Sequence, residues 1–312
     1  MFSHIFFKRK SLIWVLLIAL CIPLVTHADH RTYLVGFAQD TLGNDWRLAQ
    51  VREVEQALAA HQDIHFTYTD AQSQTALQAK HILDLADIPV DVLIVSPRDQ
   101  LVLGPVIAEV YQQGIPVILL SRGIDSDQYT SFIRPDNYLI GRAAGGYMAE
   151  RMPQEGTILM LKGVPEASTT IQRAKGFMDV IDAHKHLSII TRVGNYLRAD
   201  TLLVMEQLLE ENVHFDAVYA HSDSMATAVR MALKAQGRNP ADIMILGIDY
   251  ISEAQVAIQR GEQTLSYTYP TGGREGADVA VKLLRGQTVD KEIILPSIEV
   301  SAENVDKVEP IF

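Results

Sequence analysis

The stretch YLVGFAQDTLGNDWRLAQVREVEQALAAHQDIHFTYT, residues 33–69, decides the fold. It opens on a short apolar run at 33–38, passes through a polar turn, continues in an amphipathic stretch at 46–60, and ends in a β-branched and aromatic run at 64–69. A short unbroken apolar run suits a strand covered on both faces, and a repeat near 3.6 residues suits a helix lying against it. The unit is β-α-β.

Outward from this unit the alternation repeats. Strands are expected at 92–95, 116–120, 157–161, 187–192, 217–220 and 243–248. Helices are expected at 72–86, 102–113, 139–151, 168–183, 199–211, 224–236 and 252–260. Strands alternating with helices imply parallel sheets with helices on both faces. Eight or more such strands form either one barrel or two sheets, and two segments favour two. YTSFIRP (129–135) and TLSYTYP (264–270) are extended and stopped by proline, so they read as connections rather than complete β-α units. The expected architecture is α/β: two doubly wound parallel-sheet lobes joined by a multi-strand hinge, crossed near Arg134, near Tyr267 to Tyr269 and near Pro296. Residues 29–134 with 268–296 form one lobe, and 135–267 with 297–312 the other.

The 312 residues, 48% hydrophobic and 21% charged, describe a folded chain of about two domains. With 27 Lys+Arg against 38 Asp+Glu the net charge is −11, which excludes a phosphate-tracking surface; no nucleic-acid partner is expected. The first 28 residues are different material. Lys8, Arg9 and Lys10 precede an apolar run at 12–25 and then Thr26-His27-Ala28, the layout of a cleaved signal peptide leading to the periplasm. That run is shorter than the roughly 20 residues a membrane helix needs, although an uncleaved anchor is the alternative. The only cysteine, Cys21, lies within it after the bulky Leu20, so neither a lipid anchor nor any disulfide or thiol chemistry is expected in the mature chain.

Ligands of open parallel sheets sit beyond the carboxyl ends of the strands. Polar residues crowd those positions here: 40–47, Asp70, 96–99, Ser121-Arg122, 163–173, 194–196, 221–223 and Asp249-Tyr250.

These segments carry a resemblance. VGFAQDTLGNDWR, DAQSQ, VLIVSPRD, GIPVILLSRGID, RPDNYLIGRAAGGYMAE, RAKGF, YAHSDSMATA, ILGIDY and REGADVAVKLLRG resemble, in that order, the type I periplasmic sugar-binding proteins, with the ribose- and galactofuranose-binding members nearest. The resemblance spans residues 35–307. It implies a periplasmic binding protein-like fold that closes on a sugar-like small molecule. The ligand is then delivered to the membrane permease of an ABC importer or, alternatively, presented to a sensor kinase or chemoreceptor. LacI-type repressors share the core but carry a DNA-binding motif where this chain has an export signal. No enzyme activity, cofactor or metal is expected, and relatives mostly act as monomers.

A sugar presents C–H faces and a rim of hydroxyls, so its site needs flat aromatic surface and planar donors and acceptors. Trp46 sits where the family places a stacking aromatic, or else it is a core residue opening a helix. Arg47 beside it is counted with the site. Arg122 matches the arginine of a family Asp-Arg pair, with Ser121 in place of the acid. Arg173 corresponds to the second lobe's ligand arginine, and Tyr196 to an aromatic wall. Ser222 stands where Asn is common, and Asp249 matches a hydroxyl-binding aspartate, unless it caps a helix. Tyr267 stands where relatives place a polar hinge residue. Asp70, Ser96 and Asp99 are each as readily loop caps as ligand contacts.

The remaining constellations carry less. His221, Ser222 and Asp223 are adjacent and cannot aim at one another as a catalytic triad. His184 and His186 lack partners at metal-ligand spacing. GRAAGG at 141–146 lies in a helical pattern, where small residues permit close packing rather than phosphate binding.

Overall fold

A computed structural model describes Met1 and residues 31–312. The signal-peptide expectation therefore lies outside the described residues. In chain order the first elements are β1 (Tyr33–Gln39), α1 (Asp45–Leu58), β2 (Ile64–Asp70), α2 (Thr75–Asp87), β3 (Val92–Val95), α3 (Gln100–Gln112), β4 (Val117–Leu120) and β5 (Ser131–Pro135). The chain continues through α4 (Asn137–Arg151), β6 (Gly156–Lys162), α5 (Ser168–Ile181), β7 (Leu187–Val193), α6 (Arg198–Glu210), β8 (Ala217–Ala220) and α7 (Asp223–Ala235). It ends with β9 (Met244–Asp249), α8 (Ser252–Gln259), β10 (Leu265–Thr268), α9 (Gly273–Leu284), β11 (Glu292–Leu295) and β12 (Glu299–Ser301).

Two sheets result among the described residues, ordered β11-β5-β4-β3-β1-β2 and β12-β10-β9-β8-β6-β7. Every pairing is parallel except β10 with the short β12. Sheet membership changes after Pro135, after Thr268 and after Leu295. The buried residues explain the unbroken apolar runs. In β3, Val92 and Ile94 join one core while Leu93 and Val95 join the core on the opposite face. In β6, Ile158 and Met160 divide from Leu159 and Leu161 in the same way. Both faces are dry, so neither needs polar alternation.

The segments at 129–135 and 264–270 are more than connections, since they contain β5 and β10, which hydrogen-bond into the sheets immediately before the chain changes sheet. Their brevity and proline ends hid them. Helix α9 and strands β11 and β12 were not expected from periodicity at all. Gly141 and Gly176 let α4 and α5 touch backbone to backbone: a Cβ on Gly176 would lie 2.1 Å from the Tyr138 carbonyl oxygen, and one on Gly141 would lie 2.2 Å from the Arg173 carbonyl oxygen. The small-residue run is thus a packing surface, and it fixes the helix that carries Arg173. Among the described residues no helix is long and apolar enough to cross a membrane, and no cluster of metal-ligating side chains occurs.

Candidate functional site

The carboxyl ends of the two sheets face a shared cavity lined by Asn44, Trp46, Arg47, Ser121, Thr169, Arg173, Tyr196, Asp249 and Tyr269. Loop β1–α1 supplies Asn44, and the first turn of α1 supplies Trp46 and Arg47. Asn44 caps α1 by accepting from the Arg47 N–H (3.2 Å), and its amide donates across the cavity to the Tyr196 carbonyl at 2.7 Å. Trp46 donates from Nε1 to the Tyr269 carbonyl (3.0 Å), with the two rings 5.5 Å apart. It is both a core residue and a cavity wall, so the two roles weighed for it coincide in one ring.

Arg47 is held from behind. Its Nη1 donates to Ser96 Oγ (2.6 Å), Ser121 Oγ (3.1 Å) and Gln50 Oε1 (3.3 Å), while its Nε lies 3.5 Å from Asp40 Oδ1. Burial, then the nearby Arg122, push its guanidinium down to about 10, which leaves it charged at neutral pH. Asp40 is the hub of this cluster. It is fully buried, pairs with Arg122 Nη1 at 2.7 Å, and lies 4.0 Å from Arg98 Nη1. Burial would raise its carboxyl, yet Arg122 and Arg47 more than reverse this and hold it below the ordinary aspartate range.

In the second half, α5 presents Arg173. Its Nε donates to Asn137 Oδ1 (2.9 Å), an Nη donates to the His221 carbonyl, and its Cζ lies 4.4 Å from the Tyr269 ring centre. Asn137 also donates to the Tyr269 hydroxyl at 3.1 Å, so one amide orients both groups. The Tyr196 hydroxyl meets Thr170 Oγ1 (2.7 Å) and Thr169 Oγ1 (3.0 Å). Asp249 is 5% exposed, and no side chain donates a hydrogen bond to it among the described residues. Burial pushes its carboxyl well above the ordinary value, with Arg173 opposing.

The structure thus brings Trp46, Arg47, Arg173, Tyr196 and Asp249 to one cavity. It places the other expected residues elsewhere. Arg122 stands one layer back, on Asp40, with its Cζ 5.5 Å from the Tyr196 ring centre, and Ser96 braces Arg47. Asp99 accepts the Leu101 and Val102 N–H groups (both 2.9 Å) and caps α3. Ser222 accepts the Met225 N–H (3.3 Å) and caps α7. Asp70 accepts the Leu42 and Gln72 N–H groups (3.2 and 2.8 Å) in a neighbouring cleft. Tyr267 is still inside β10, packed in the core with its hydroxyl on Glu299 (3.0 Å); the tyrosine that reaches the cavity is Tyr269, just beyond the strand end. Sequence reasoning assigned no ligand role of their own to Asp40, Asn44, Ser121 and Thr169, although they lie in the polar strand-end stretches it named, and it placed Tyr269 only at a crossing between lobes.

Two α/β halves with their strand ends converging on a polar cavity walled by aromatic rings define the class of two-lobed solute-binding proteins. A family model described as periplasmic binding protein domain matches residues 35–288, and the chain belongs to this family. It is similar to the ribose import binding protein RbsB of Bacillus subtilis (strain 168), 27% identical over 86% of this chain and 87% of that protein. It is also similar to the galactofuranose-binding protein YtfQ of Escherichia coli (strain K12), 30% identical over 74% and 76%. Among solved structures it matches the fructose-binding periplasmic domain of a hybrid two-component system, with a TM-score of 0.82 at 28% identity over 88% of this chain and 92% of that one.

Proposed function

We propose that this protein is an exported, non-enzymatic receptor that captures a sugar or similar polyhydroxylated molecule in the cavity and delivers it to an ABC importer in the membrane. The observation that carries this reading is the cavity's composition. Two guanidinium groups and one carboxyl, from Arg47, Arg173 and Asp249, converge between the rings of Trp46, Tyr196 and Tyr269. Planar ion-dipole donors for hydroxyls and aromatic faces for C–H surfaces are what a sugar ring requires.

Contacts across the cavity mouth also support the reading. Asn44 reaches Tyr196, the Gly123 N–H donates to Ser168 Oγ (2.8 Å), and Arg198 pairs with Asp45 at 2.5 Å while also holding Glu253 at 2.7 Å. These bonds belong to a closed arrangement, and opening about the crossings at Pro135, Thr268 and Leu295 would admit the ligand. A ligand favours closure only by binding both halves at once.

Thermal-shift screening against pentoses, hexoses of both ring forms, polyols and inositols tests the reading, with hits quantified by calorimetry. A binder present at about 100 times its Kd stabilises the protein by about 2.7 kcal/mol. Arg173→Ala should weaken a hit at least 30-fold, about 2 kcal/mol for a lost charged hydrogen-bond donor. A panel without hits, or unchanged affinity in that variant, would refute the reading.

Likeness to the periplasmic domain of a two-component system favours a second reading, in which the same closed form engages a sensor rather than a permease. Co-purification of the ligand-loaded protein with solubilised permease or with kinase ectodomain separates the two.

A further inference from the structure

The charges around the cavity do not balance. Arg47, Arg122 and Arg173 are 7%, 2% and 2% exposed, and the acids buried with them are Asp40 and Asp249; the further buried acid, Asp223, has its own counter-charge in Arg230. Three guanidinium groups thus face two carboxyls. His221, beneath Arg173, adds no charge, because burial and that arginine hold its imidazole neutral. Asp249 favours its proton when the cavity is empty, which widens the excess. Arg98, less buried, adds a further cation 4.0 Å from Asp40 and has the charges of Glu166 and Asp200 near it.

The surroundings compensate only in part. The Tyr269 and Tyr196 faces lie near Arg173 and Arg122, and neutral oxygens meet Arg47. The Arg122 Nε–H is buried without an acceptor. Unbalanced buried charge is unfavourable, and a binding site is where an incoming group can neutralise it. The cavity is bordered directly by Arg47, Arg173 and Asp249, while its other polar side chains Asn44, Ser121 and Thr169 are uncharged and suited to hydroxyls.

We infer that the ligand is an anionic monosaccharide, a sugar carboxylate of single-ring size, rather than a neutral sugar. The inference rests on the polyhydroxyl-receptor reading and narrows it. A carboxylate supplies the missing negative charge and pairs with a guanidinium at two points without adding a further group to the ring, whereas a phosphate ester adds one.

Titration calorimetry at pH 7 on the purified protein tests this, comparing D-galacturonate, D-glucuronate and D-gluconate with D-galactose, D-glucose and galactose 1-phosphate. At least one sugar acid should bind tenfold or more tighter than its neutral parent. Ser121→Asp, which puts a carboxylate at the cavity wall, should reverse that preference by a similar factor. Ser121 has φ near 60°, a conformation that Asp tolerates better than most residues. Equal or tighter binding of the neutral parent by the unaltered protein overturns the inference and leaves the receptor reading standing; no binding by any of the six compounds overturns the inference, and the wider panel of pentoses, polyols and inositols then decides the receptor reading. Tightest binding of the phosphate refutes the carboxylate assignment. If Ser121→Asp fails to fold, the comparison of acid with parent in the unaltered protein decides alone.

Discussion

Each half of the molecule places a buried aspartate where a strand ends, and the two behave in opposite ways. Asp40, directly after β1, lies among Arg122, Arg47 and Arg98 and is held ionised. Asp249, the last residue of β9, has burial and the Asp223 carboxyl working against its charge, with Arg173 and Arg47 opposing them less strongly. Topology puts both acids at strand ends, but direct guanidinium pairing, which Asp40 has, decides their chemistry. The first is a structural counter-ion already engaged by protein, and the second keeps its hydrogen-bonding capacity for something entering the cavity. Asp249 is also turned by its backbone. Its φ is 119° and that of Tyr250 is 60°, a turn held by the Tyr250 N–H donating to Asp223 Oδ2 (2.6 Å) and Ser266 Oγ (3.1 Å).

The sharpest way to break this comparison is to neutralise each acid in the unliganded protein. Asp40→Asn leaves buried guanidinium groups without their shared counter-charge and should cost about 3–5 kcal/mol, the range for breaking a buried ion pair. Asp249→Asn should leave stability nearly unchanged or raise it, because the carboxyl there already disfavours charge. Urea unfolding measures both. Equal losses would mean that the two environments do not differ as described.

Acidity sharpens the same contrast. Asp223, beneath Asp249, is pushed up to about 6 by burial, despite hydrogen bonds from Ser266 (2.5 Å) and Gln263 (2.7 Å). Between about pH 4 and 6 the native state keeps a proton that the unfolded chain has released. Stability from this group therefore falls as pH rises through that window, by up to about 3 kcal/mol. Asp40 has the opposite sign, since its lowered value makes its contribution present above about pH 4 and lost on acidification below it. Unfolding free energies from pH 3 to 7 should show both limbs. Asp223→Asn should flatten the upper limb, and an unchanged slope there would assign it to other groups.

How much of this was legible in the sequence follows from what each signal depends on. The β-α repeat is local, so 33–38 and 46–60 read correctly to within a residue or two of β1 and α1. β12 has three residues and pairs antiparallel with β10, and nothing in its own composition announces a strand. α9 opens on Gly273 after a left-handed Gly272, so no capping side chain announces its start. At the site, the polar stretches after the strands contained Trp46, Arg47, Arg173, Tyr196 and Asp249, and the family resemblance singled them out within those stretches. The standing of Arg122 was not legible: its partner Asp40 lies 82 residues away, and only the sheet order brings β1 and β4 close enough for the pair.

The smallest predicted effect concerns two expected ligand residues that the structure places as helix caps. Asp99 and Ser222 follow β3 and β8 and begin α3 and α7, so ligand contact and helix capping use the same oxygen. In the structure each oxygen accepts backbone N–H groups of its helix. Capping alone predicts that Asp99→Ala and Ser222→Ala each cost about 1 kcal/mol of stability and leave ligand affinity unchanged. The charged cap should lose slightly more, because its carboxylate also meets the positive end of the α3 dipole. Chemical denaturation and calorimetry on the same samples separate the readings. A cap variant that keeps its stability but loses affinity would move that residue into the cavity and make the two halves more alike in what they offer a ligand than their buried acids suggest.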